Sequence, residues 1–282
     1  MDVVTLNNGN KMPGIILGTF QMKSQADMDN VVKAAVDNKA MGFDTSPSYK
    51  TEEMLANSVK KVMAENPLVK REDFFITSKI DSWQMIERRG DIRPFVESIL
   101  KKTGLEYWDL LLIHWPQPEF FEKTWLSMEK LYEEKIIKNI GVCNCKERHF
   151  KRLEAAGANY VPMVAQNEIH PLNTENDVVG YCNEHNITVQ AYSPLGRMIA
   201  DVRNNAVLNI LADKYKVSVP QLMIRWHIQR GLVPIVKTSS AKRVKDNINV
   251  YSFEITREDM ELITSLDRHL KLFLESRCCP GF

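Results

Sequence analysis

Eight short apolar segments recur along the 282-residue chain, and longer amphipathic segments separate them. Several of the short segments lack polar alternation, which is typical of strands buried on both faces of a parallel sheet. Strands that alternate with helices predict an α/β fold, and eight repeats predict a (β/α)8 TIM barrel. The predicted strands are Ile15–Thr19, Gly42–Thr45, Phe74–Ser78, Asp109–His114, Asn139–Cys143, Met163–Asn167, Thr188–Tyr192 and Val233–Lys237.

Amphipathic spacing predicts the helices between these strands. They are Asp27–Asn38, Ile92–Thr103, Phe121–Glu134, Lys146–Ala156, Asn176–His185 and Arg243–Val250. The segment from Val207 to Arg230 is long enough for two helices, which we expect to divide near residues 217–220. An extra C-terminal helix is predicted over Thr256–Leu266, with Thr256 as its N-cap.

An N-terminal β-hairpin is predicted because residues 3–6 and 15–17 flank Asn8-Gly9, a dipeptide that tolerates a tight turn. Periodicity alone leaves a doubly wound fold as the alternative. Such a fold usually carries a Gly-rich turn after its first strand. Here that strand leads into Gly18-Thr19-Phe20-Gln21-Met22, which contains no GxGxxG pattern.

Composition excludes several classes of protein. Lys plus Arg is 37 and Asp plus Glu is 36, so the net charge is +1. This balance lacks the excess of positive charge that is typical of proteins that bind nucleic acids or anionic lipids. No stretch approaches the roughly 18 apolar residues of a membrane span, and the N-terminus lacks a secretory pattern. The five cysteines have neither disulfide-framework nor zinc spacing. We therefore expect a cytoplasmic monomer with no metal, folded as one domain over residues 1–282.

Polar side chains stand at three successive predicted strand ends: Asp44, Lys79 and His114. Tyr49 follows Asp44 by five residues, in the loop after the second strand. Each alone has an ordinary interpretation as a turn residue, a solvated cation, packing or a rim histidine. In a barrel, however, the carboxyl ends of the strands meet at one mouth, where active sites form. The four residues together are therefore candidate catalytic residues.

These residues resemble the signature of the aldo-keto reductases, and in particular of bacterial members with a short C-terminal loop. Gly42-Phe43-Asp44-Thr45 with Tyr49, Lys79 in Ile76-Thr77-Ser78-Lys79, and Leu111-Leu112-Ile113-His114-Trp115-Pro116 are similar to three family motifs. The resemblance implies an NADPH-dependent enzyme with Asp44, Tyr49, Lys79 and His114 as its catalytic tetrad. It runs nearly end to end.

The resemblance also implies residues that bind NADPH. Asn144 and Gln166 match the ligands of the nicotinamide carboxamide, and Tyr192 matches the aromatic residue that stacks on the ring. Lys237, Thr238 and Arg243 match the segment that holds the 2′-phosphate, where Arg also offers adenine a flat face. The remaining implied cofactor residues are Gly18, Thr19, Ser193, Leu195 and Asn247.

This chain departs from the family pattern at three positions in the cofactor-binding segments. Cys143 stands where the family has serine, and a thiol is a poor hydrogen-bond donor. Val236 replaces a proline and Thr238 replaces a serine.

The chemistry implied is reduction of an aldehyde or ketone to the alcohol. Hydride must come from the cofactor, and Tyr49 would donate the proton. Lys79, paired with Asp44, would lower the pKa of the phenol, and His114 would orient the carbonyl oxygen. Phe20 and Trp115, with Phe120 or Phe121, would wall the substrate pocket, which the short tail after Leu266 would leave open.

Two alternatives accompany this interpretation. The first is a cofactor-binding regulatory or structural protein on the same fold, which the complete tetrad disfavours. The second is a phosphate-binding barrel isomerase, which would want a Gly-rich site after strands seven and eight. This chain has Lys237-Thr238-Ser239-Ser240 there.

Overall fold

Eight parallel strands close into a barrel in the computed structural model of the protein, which describes residues 2–279. Each barrel strand pairs with the next along the chain, and the last pairs with the first. The strands are β1 (Val3–Thr5), β2 (Lys11–Pro13), β3 (Ile16–Gly18), β4 (Gly42–Asp44), β5 (Phe75–Ile80), β6 (Leu110–Ile113), β7 (Ile140–Cys143), β8 (Val164–Glu168), β9 (Thr188–Tyr192) and β10 (Val233–Lys237). Strands β3 to β10 form the barrel, so all eight predicted strands are confirmed.

Helices surround the barrel and also follow its last strand. They are α1 (Gln25–Asp37), α2 (Glu52–Glu65), α3 (Ser82–Glu87), α4 (Arg93–Thr103), α5 (Phe121–Glu133), α6 (Glu147–Ala155), α7 (Asn176–Glu184), α8 (Ala200–Arg203), α9 (Ala206–Tyr215), α10 (Val219–Gln229), α11 (Ala241–Ile248), α12 (Arg257–Thr264) and α13 (Glu275–Cys278). The predicted division of Val207–Arg230 is confirmed, and the Thr256 side chain caps α12 as expected. Within residues 2–279, no helix combines the length and the apolar character that crossing a membrane requires.

Helix α2 occupies a segment to which the sequence analysis assigns no helix. Its buried face consists of Leu55, Ala56, Val59 and Val62, which recur at helical spacing. Two glutamates stand in its first turn, where the helix dipole favours negative charge. The segment directly follows the loop of Tyr49, so the helix and the loop position each other.

The N-terminal hairpin differs from the prediction in its second strand. Strand β1 pairs with β2, whereas residues 16–18 belong to the barrel. The turn between them is closed by two hydrogen bonds: the N–H of Leu6 donates to the carbonyl oxygen of Asn10, and the N–H of Gly9 donates to the carbonyl oxygen of Leu6. Thr5 then stands opposite Lys11. The side-chain amides of Asn8 and Asn10 donate to Asn139 Oδ1, just before β7. The hairpin therefore lies against the amino-terminal end of the barrel.

Strand alternation in β5 places two polar residues on opposite faces. Ser78 faces outward, where its hydroxyl donates to Glu52 of α2 at 2.5 Å. Lys79 faces the barrel interior and is fully buried. Lys79, like Asp44 and His114, therefore stands at or beside the carboxyl end of its strand.

Glycine at position 141 is required by the spacing of two strands. A Cβ there would lie 2.3 Å from the carbonyl oxygen of Val164 in β8 and 2.7 Å from a methyl group of Leu112. We predict that Gly141→Ala destabilises the protein by at least about 2 kcal/mol, because backbone cannot yield cheaply in a closed barrel. Urea unfolding followed by circular dichroism measures this change.

The matched control is Gly180→Ala in α7, where a Cβ would contact nothing within 4 Å. That substitution should raise stability by about 0.5–1 kcal/mol, because alanine favours the helix. Equal effects of the two substitutions would contradict the packing argument.

Candidate active site

A cavity of about 880 Å³ opens at the carboxyl ends of the barrel strands. Its volume lies within the range of small-molecule and cofactor sites. Most of the residues predicted to react or bind line it: Gly18, Phe20, Asp44, Tyr49, His114, Trp115, Asn144, Gln166, Tyr192, Ser193, Leu195, Lys237, Arg243 and Asn247.

A buried ion pair forms the floor of the cavity. The ammonium group of Lys79 donates to both carboxylate oxygens of Asp44 at 2.7 Å and to the carbonyl oxygen of Thr45 at 3.0 Å. Burial alone would lower the pKa of Lys79, but the Asp44 carboxylate, with the neighbouring Tyr49 and Cys143 groups, raises it above its ordinary value. Lys79 is therefore a fixed positive charge at neutral pH.

Tyr49 lies directly above this charge. It ends the short 3-10 turn Pro47–Tyr49, and Lys50 follows in the left-handed conformation that turns the chain into α2. The ammonium nitrogen of Lys79 lies 4.8 Å from the centre of the Tyr49 ring. Burial raises the pKa of the phenol above its ordinary value, and Lys79 opposes the rise only in part. Lys79 does lower the pKa of Tyr49, as expected, but burial raises that pKa by more. Tyr49 is therefore protonated at neutral pH.

His114 stands beside Tyr49, with the two rings edge to face and their centres 5.7 Å apart. Its Nδ1 faces the carboxylate of Asp81, at hydrogen-bond distance. Asp81 also accepts a hydrogen bond from the backbone N–H of Ser48 at 2.9 Å. Asp81 is not among the residues predicted from the sequence. The available signal was a carboxylate directly after a strand end, two residues beyond Lys79.

Two carboxamide side chains lie on neighbouring strands: Asn144 directly follows β7, and Gln166 lies within β8. Asn144 adopts a left-handed conformation (φ 58°), which asparagine tolerates better than most residues. Its Nδ2 donates to the carbonyl oxygen of His114 at 2.9 Å, and its Oδ1 accepts from the hydroxyl of Tyr192 at 2.8 Å. Gln166 donates from Nε2 to Asp44 and to Gln190, both at 2.9 Å, so its Oε1 is the atom left to accept from a ligand.

Two cations lie at the far end of the cavity. Lys237 ends β10, and Arg243 stands in the first turn of α11. Both side chains are exposed, and neither forms an ion pair with any residue between 2 and 279. Unpaired cations beside a helix N-terminus suit an anionic group such as a phosphate.

Two predicted cofactor residues do not line the cavity. The Thr19 hydroxyl is buried between the carbonyl oxygen of Asp44 (3.0 Å) and the hydroxyl of Thr51 (2.7 Å). The Thr238 hydroxyl accepts the backbone N–H of Ser240 at 3.0 Å, and Ser240 caps α11. Both threonines thus shape the backbone around the cavity in this structure. Cys143 is fully buried beneath it, and burial raises the pKa of its thiol, so it stays protonated.

Aromatic side chains line the outer part of the cavity. Phe20 and Trp115 contribute as expected, whereas Phe120 and Phe121 are buried in the core at the start of α5. The short tail was predicted from the sequence to leave the pocket open. Instead, Phe273 of that tail lies 6.5 Å from Phe20 and also against Tyr192, measured between ring centres.

The tail is held by its backbone. The Glu168 carboxylate accepts the N–H of Leu272 at 2.7 Å and the N–H of Phe273 at 3.0 Å. Phe273 was not predicted, because no local motif marks a residue that only tertiary contacts bring to the mouth. Arg197 and Arg203, which line the cavity after β9, were not predicted either. The end of the tail, Pro280–Phe282, lies outside the described residues.

Comparison with known proteins gives a consistent result. The sequence pattern of the Aldo/keto reductase family matches residues 14–268. The chain is 36% identical over 267 residues to the glyoxal reductase of Bacillus subtilis, and the matched region covers 95% of this chain and 93% of that protein. It is 33% identical over 273 residues to the methylglyoxal reductase DkgA of Escherichia coli K12, with 96% and 95% covered. The crystal structure of a Bombyx mori aldo-keto reductase in complex with NADP superposes with a TM-score of 0.86, at 29% identity and 98% and 96% coverage.

The chain therefore belongs to the aldo/keto reductase family. It is an oxidoreductase that acts on carbonyl groups, and a non-catalytic role on the same fold is not supported. Between residues 2 and 279, no cluster of histidine, cysteine or carboxylate side chains has the arrangement of a metal site.

The buried ion pair generates a prediction about stability. Lys79→Met should lower the free energy of unfolding by about 3–5 kcal/mol, because it leaves the Asp44 carboxylate buried without its cation. The double variant Asp44→Asn/Lys79→Met should recover much of that loss, since no unpaired charge remains. Urea unfolding of the three proteins measures both changes. A double variant no more stable than Lys79→Met would contradict the charge argument.

Proposed function

We propose that this reductase converts an aldehyde or ketone to the alcohol with NADPH, using Tyr49 as the proton donor and Lys79, Asp44 and His114 to support it. The observation that carries the proposal is the stack of Asp44, Lys79 and Tyr49 beside His114 at the floor of one cavity. NADPH supplies the hydride, which no side chain can provide.

The residues around the cavity fit this cofactor. Lys237 and Arg243 offer two unpaired positive charges for the 2′-phosphate, and Asn247 lines the cavity one helical turn beyond Arg243. Gln166 retains a free acceptor, Oε1, for the amino group of a carboxamide. Tyr192 offers an aromatic ring that its hydrogen bond to Asn144 holds in place. The complex of the Bombyx mori relative with NADP supports the same choice of cofactor.

The proton has a defined path in this arrangement. The phenol of Tyr49 is protonated at neutral pH, as an ordinary phenol is, and burial raises its pKa further. As the carbonyl oxygen gains negative charge, Tyr49 donates its proton to that oxygen. The fixed charge of Lys79 stabilises the phenolate left behind, and Asp44 keeps Lys79 in place.

Small carbonyl compounds suit the substrate end of the cavity. Phe20, Trp115 and Phe273 present apolar surface there, and His114 offers the polar contact to the oxygen. Two relatives are named glyoxal reductase and methylglyoxal reductase. Oxidation of NADPH with glyoxal, methylglyoxal, aromatic aldehydes, ketones and keto acids therefore tests the substrate class, starting with the two dicarbonyls.

The same proposal covers the assembly and location of the enzyme. Residues 1–282 would act as one domain, as a monomer in the cytoplasm, with small molecules rather than nucleic acid as partners. The net charge of +1 and the five free cysteines support this assignment, since free thiols suit a reducing compartment. Light scattering after gel filtration tests the monomer.

The proton-donor role predicts the behaviour of Tyr49→Phe. This variant should lose about 10²–10⁴-fold in kcat, because general acid catalysis is removed. Its affinity for NADPH should stay within a few-fold, since the ring is retained. Steady-state turnover and quenching of tryptophan fluorescence provide the two measurements. Turnover close to that of the unmodified enzyme would refute the role.

The unpaired cations predict a preference for NADPH over NADH. Charge-assisted contacts contribute about 1.5–3 kcal/mol each before desolvation, so the ratio of dissociation constants should exceed about tenfold. Arg243→Ala should reduce this ratio strongly. Thr238→Ala is the control and should change it little, because the Thr238 hydroxyl already bonds to Ser240. Equal dissociation constants for the two cofactors in the unmodified enzyme would reject the assignment.

A further inference from the structure

Glu52 is a buried carboxylate that the proposed mechanism does not use. It stands in the first turn of α2, shortly after Tyr49, and only 8% of it is exposed. Its Oε1 accepts a hydrogen bond from the buried hydroxyl of Ser78 at 2.5 Å. Glu53, its neighbour in the same turn, is exposed and pairs with Lys102 at the surface. Both glutamates stand where the helix dipole favours negative charge, but only Glu52 reaches into the protein.

The buried position of Glu52 is unfavourable for a charged group. Burial raises the pKa of its carboxyl to about 7, and the hydrogen bond from Ser78 opposes that rise only in part. The start of α2 is already held by its N-cap residue, Thr51, whose hydroxyl bonds to those of Thr19 and Thr45, each at 2.7 Å. A buried carboxylate costs stability, so its presence points to a task that an apolar residue could not perform.

The contact between Glu52 and Ser78 joins the two segments that carry Tyr49 and Lys79. Glu52 directly follows the loop of Tyr49, and Ser78 directly precedes Lys79 in β5. The side chains of Ser78 and Lys79 leave the strand on opposite faces, so the hydrogen bond forms outside the barrel while the ammonium group lies inside it. The path from the phenol through this hydrogen bond to the ammonium group is therefore short.

A second contact holds the same loop from the other side. The backbone N–H of Ser48 donates to Oδ2 of Asp81 at 2.9 Å. Ser48 and Glu52 stand on either side of the proposed proton donor in sequence. Their partners, Asp81 and Ser78, stand on either side of Lys79. The loop is thus tied to the segment of Lys79 at both of its ends.

We propose that Glu52 is a positioning residue that holds the phenol of Tyr49 at its distance from the ammonium group of Lys79. It acts through its hydrogen bond to Ser78 and does not line the cavity. The phenolate that forms on proton donation depends on its distance from the cation, and a displacement of about 1 Å can cost about 100-fold in rate. This inference rests on the proposed function, since it takes Tyr49 as the proton donor.

Steady-state kinetics of the complete enzyme at pH 8 test the inference, with saturating NADPH and the best aldehyde of the substrate panel. That pH lies above the pKa of Glu52, so the carboxylate form is measured. Glu52→Ala should lower kcat at least about tenfold, while the KM of the aldehyde and the Kd of NADPH stay within about threefold. A loss in KM or Kd with kcat retained would contradict the role.

Two further variants separate the hydrogen bond from the charge and from the helix. Glu52→Gln should keep kcat within about threefold, because its amide oxygen still accepts from Ser78. Glu53→Ala is the matched control, since it removes a carboxylate from the same turn of α2 without touching Ser78. It should leave kcat unchanged. A Glu52→Gln enzyme as slow as Glu52→Ala, or an equal loss in Glu53→Ala, would overturn the inference.

Ser78→Ala breaks the same hydrogen bond from the other strand and covers the case in which Glu52→Ala does not fold. It should lower kcat at least about fivefold, and Glu52→Ala/Ser78→Ala should be no slower than the slower single variant, because both changes remove one contact. Normal turnover in Ser78→Ala, or losses that multiply in the double variant, would refute the proposed contact.

The Tyr49→Phe background distinguishes positioning of the phenol from a purely structural role. Because Glu52 is proposed to act through the phenol, Glu52→Ala/Tyr49→Phe should turn over within about twofold of Tyr49→Phe. A further loss as large as that of Glu52→Ala alone would show that Glu52 acts elsewhere, and this inference would fail while the proposed function stands. Full activity of Tyr49→Phe would instead reject the proposed function.

Discussion

The ion pair between Lys79 and Asp44 is the interaction on which the site depends. Two charges are stable inside a barrel only when they satisfy each other and their remaining hydrogen bonds. Here the carbonyl oxygen of Thr45 and the amide of Gln166 complete that shell. Asp44 lies in β4, Lys79 in β5 and Gln166 in β8. The barrel must therefore close before these groups can hold the buried charge.

The fixed charge explains how an ordinary tyrosine would serve in the proposed role of proton donor. Burial raises the pKa of the Tyr49 phenol, so the group stays neutral before a substrate binds. The same burial strengthens the interaction of Lys79 with any negative charge that then forms, because little water is present to screen it. The buried setting beside Lys79 thus suits both the neutral Tyr49 phenol and the phenolate that would form from it. Asp44 contributes at a distance, since it holds the cation and does not meet the reacting atoms.

Sequence reasoning predicted the parts of the molecule that local patterns encode. Strands such as 110–113 are apolar throughout because helices cover one face and the barrel interior covers the other. Asp44, Lys79 and His114 were found because equivalent strand ends meet at one mouth. Helix α2 was not predicted, and its first turn lacks the capping hydrogen bond from a side chain that marks the start of a helix such as α12. The second hairpin strand was predicted at residues 15–17 but lies at Lys11–Pro13. The length of the turn, rather than the Asn8-Gly9 dipeptide, sets which residues pair with β1.

Residues that depend on long-range contacts could not be predicted in the same way. Asp81 has the sequence context of a helix cap, and only the structure shows its side chain turned to His114. Thr19 and Thr238 carry hydroxyls in the right segments, yet backbone groups and a neighbouring threonine occupy those hydroxyls. Phe273 lies 159 positions after His114 in the chain and reaches the same mouth.

The anchoring of the tail by Glu168 has a consequence for how such an enzyme diversifies. The carboxylate binds main-chain N–H groups of residues 272 and 273, which every amino acid except proline possesses. The path of the tail is therefore independent of the side chains it carries. Substitutions at these positions can reshape the outer wall of the pocket without loosening the segment that bears them. Single changes there alter the outer wall of the pocket while the barrel, the ion pair and Tyr49 keep their own contacts.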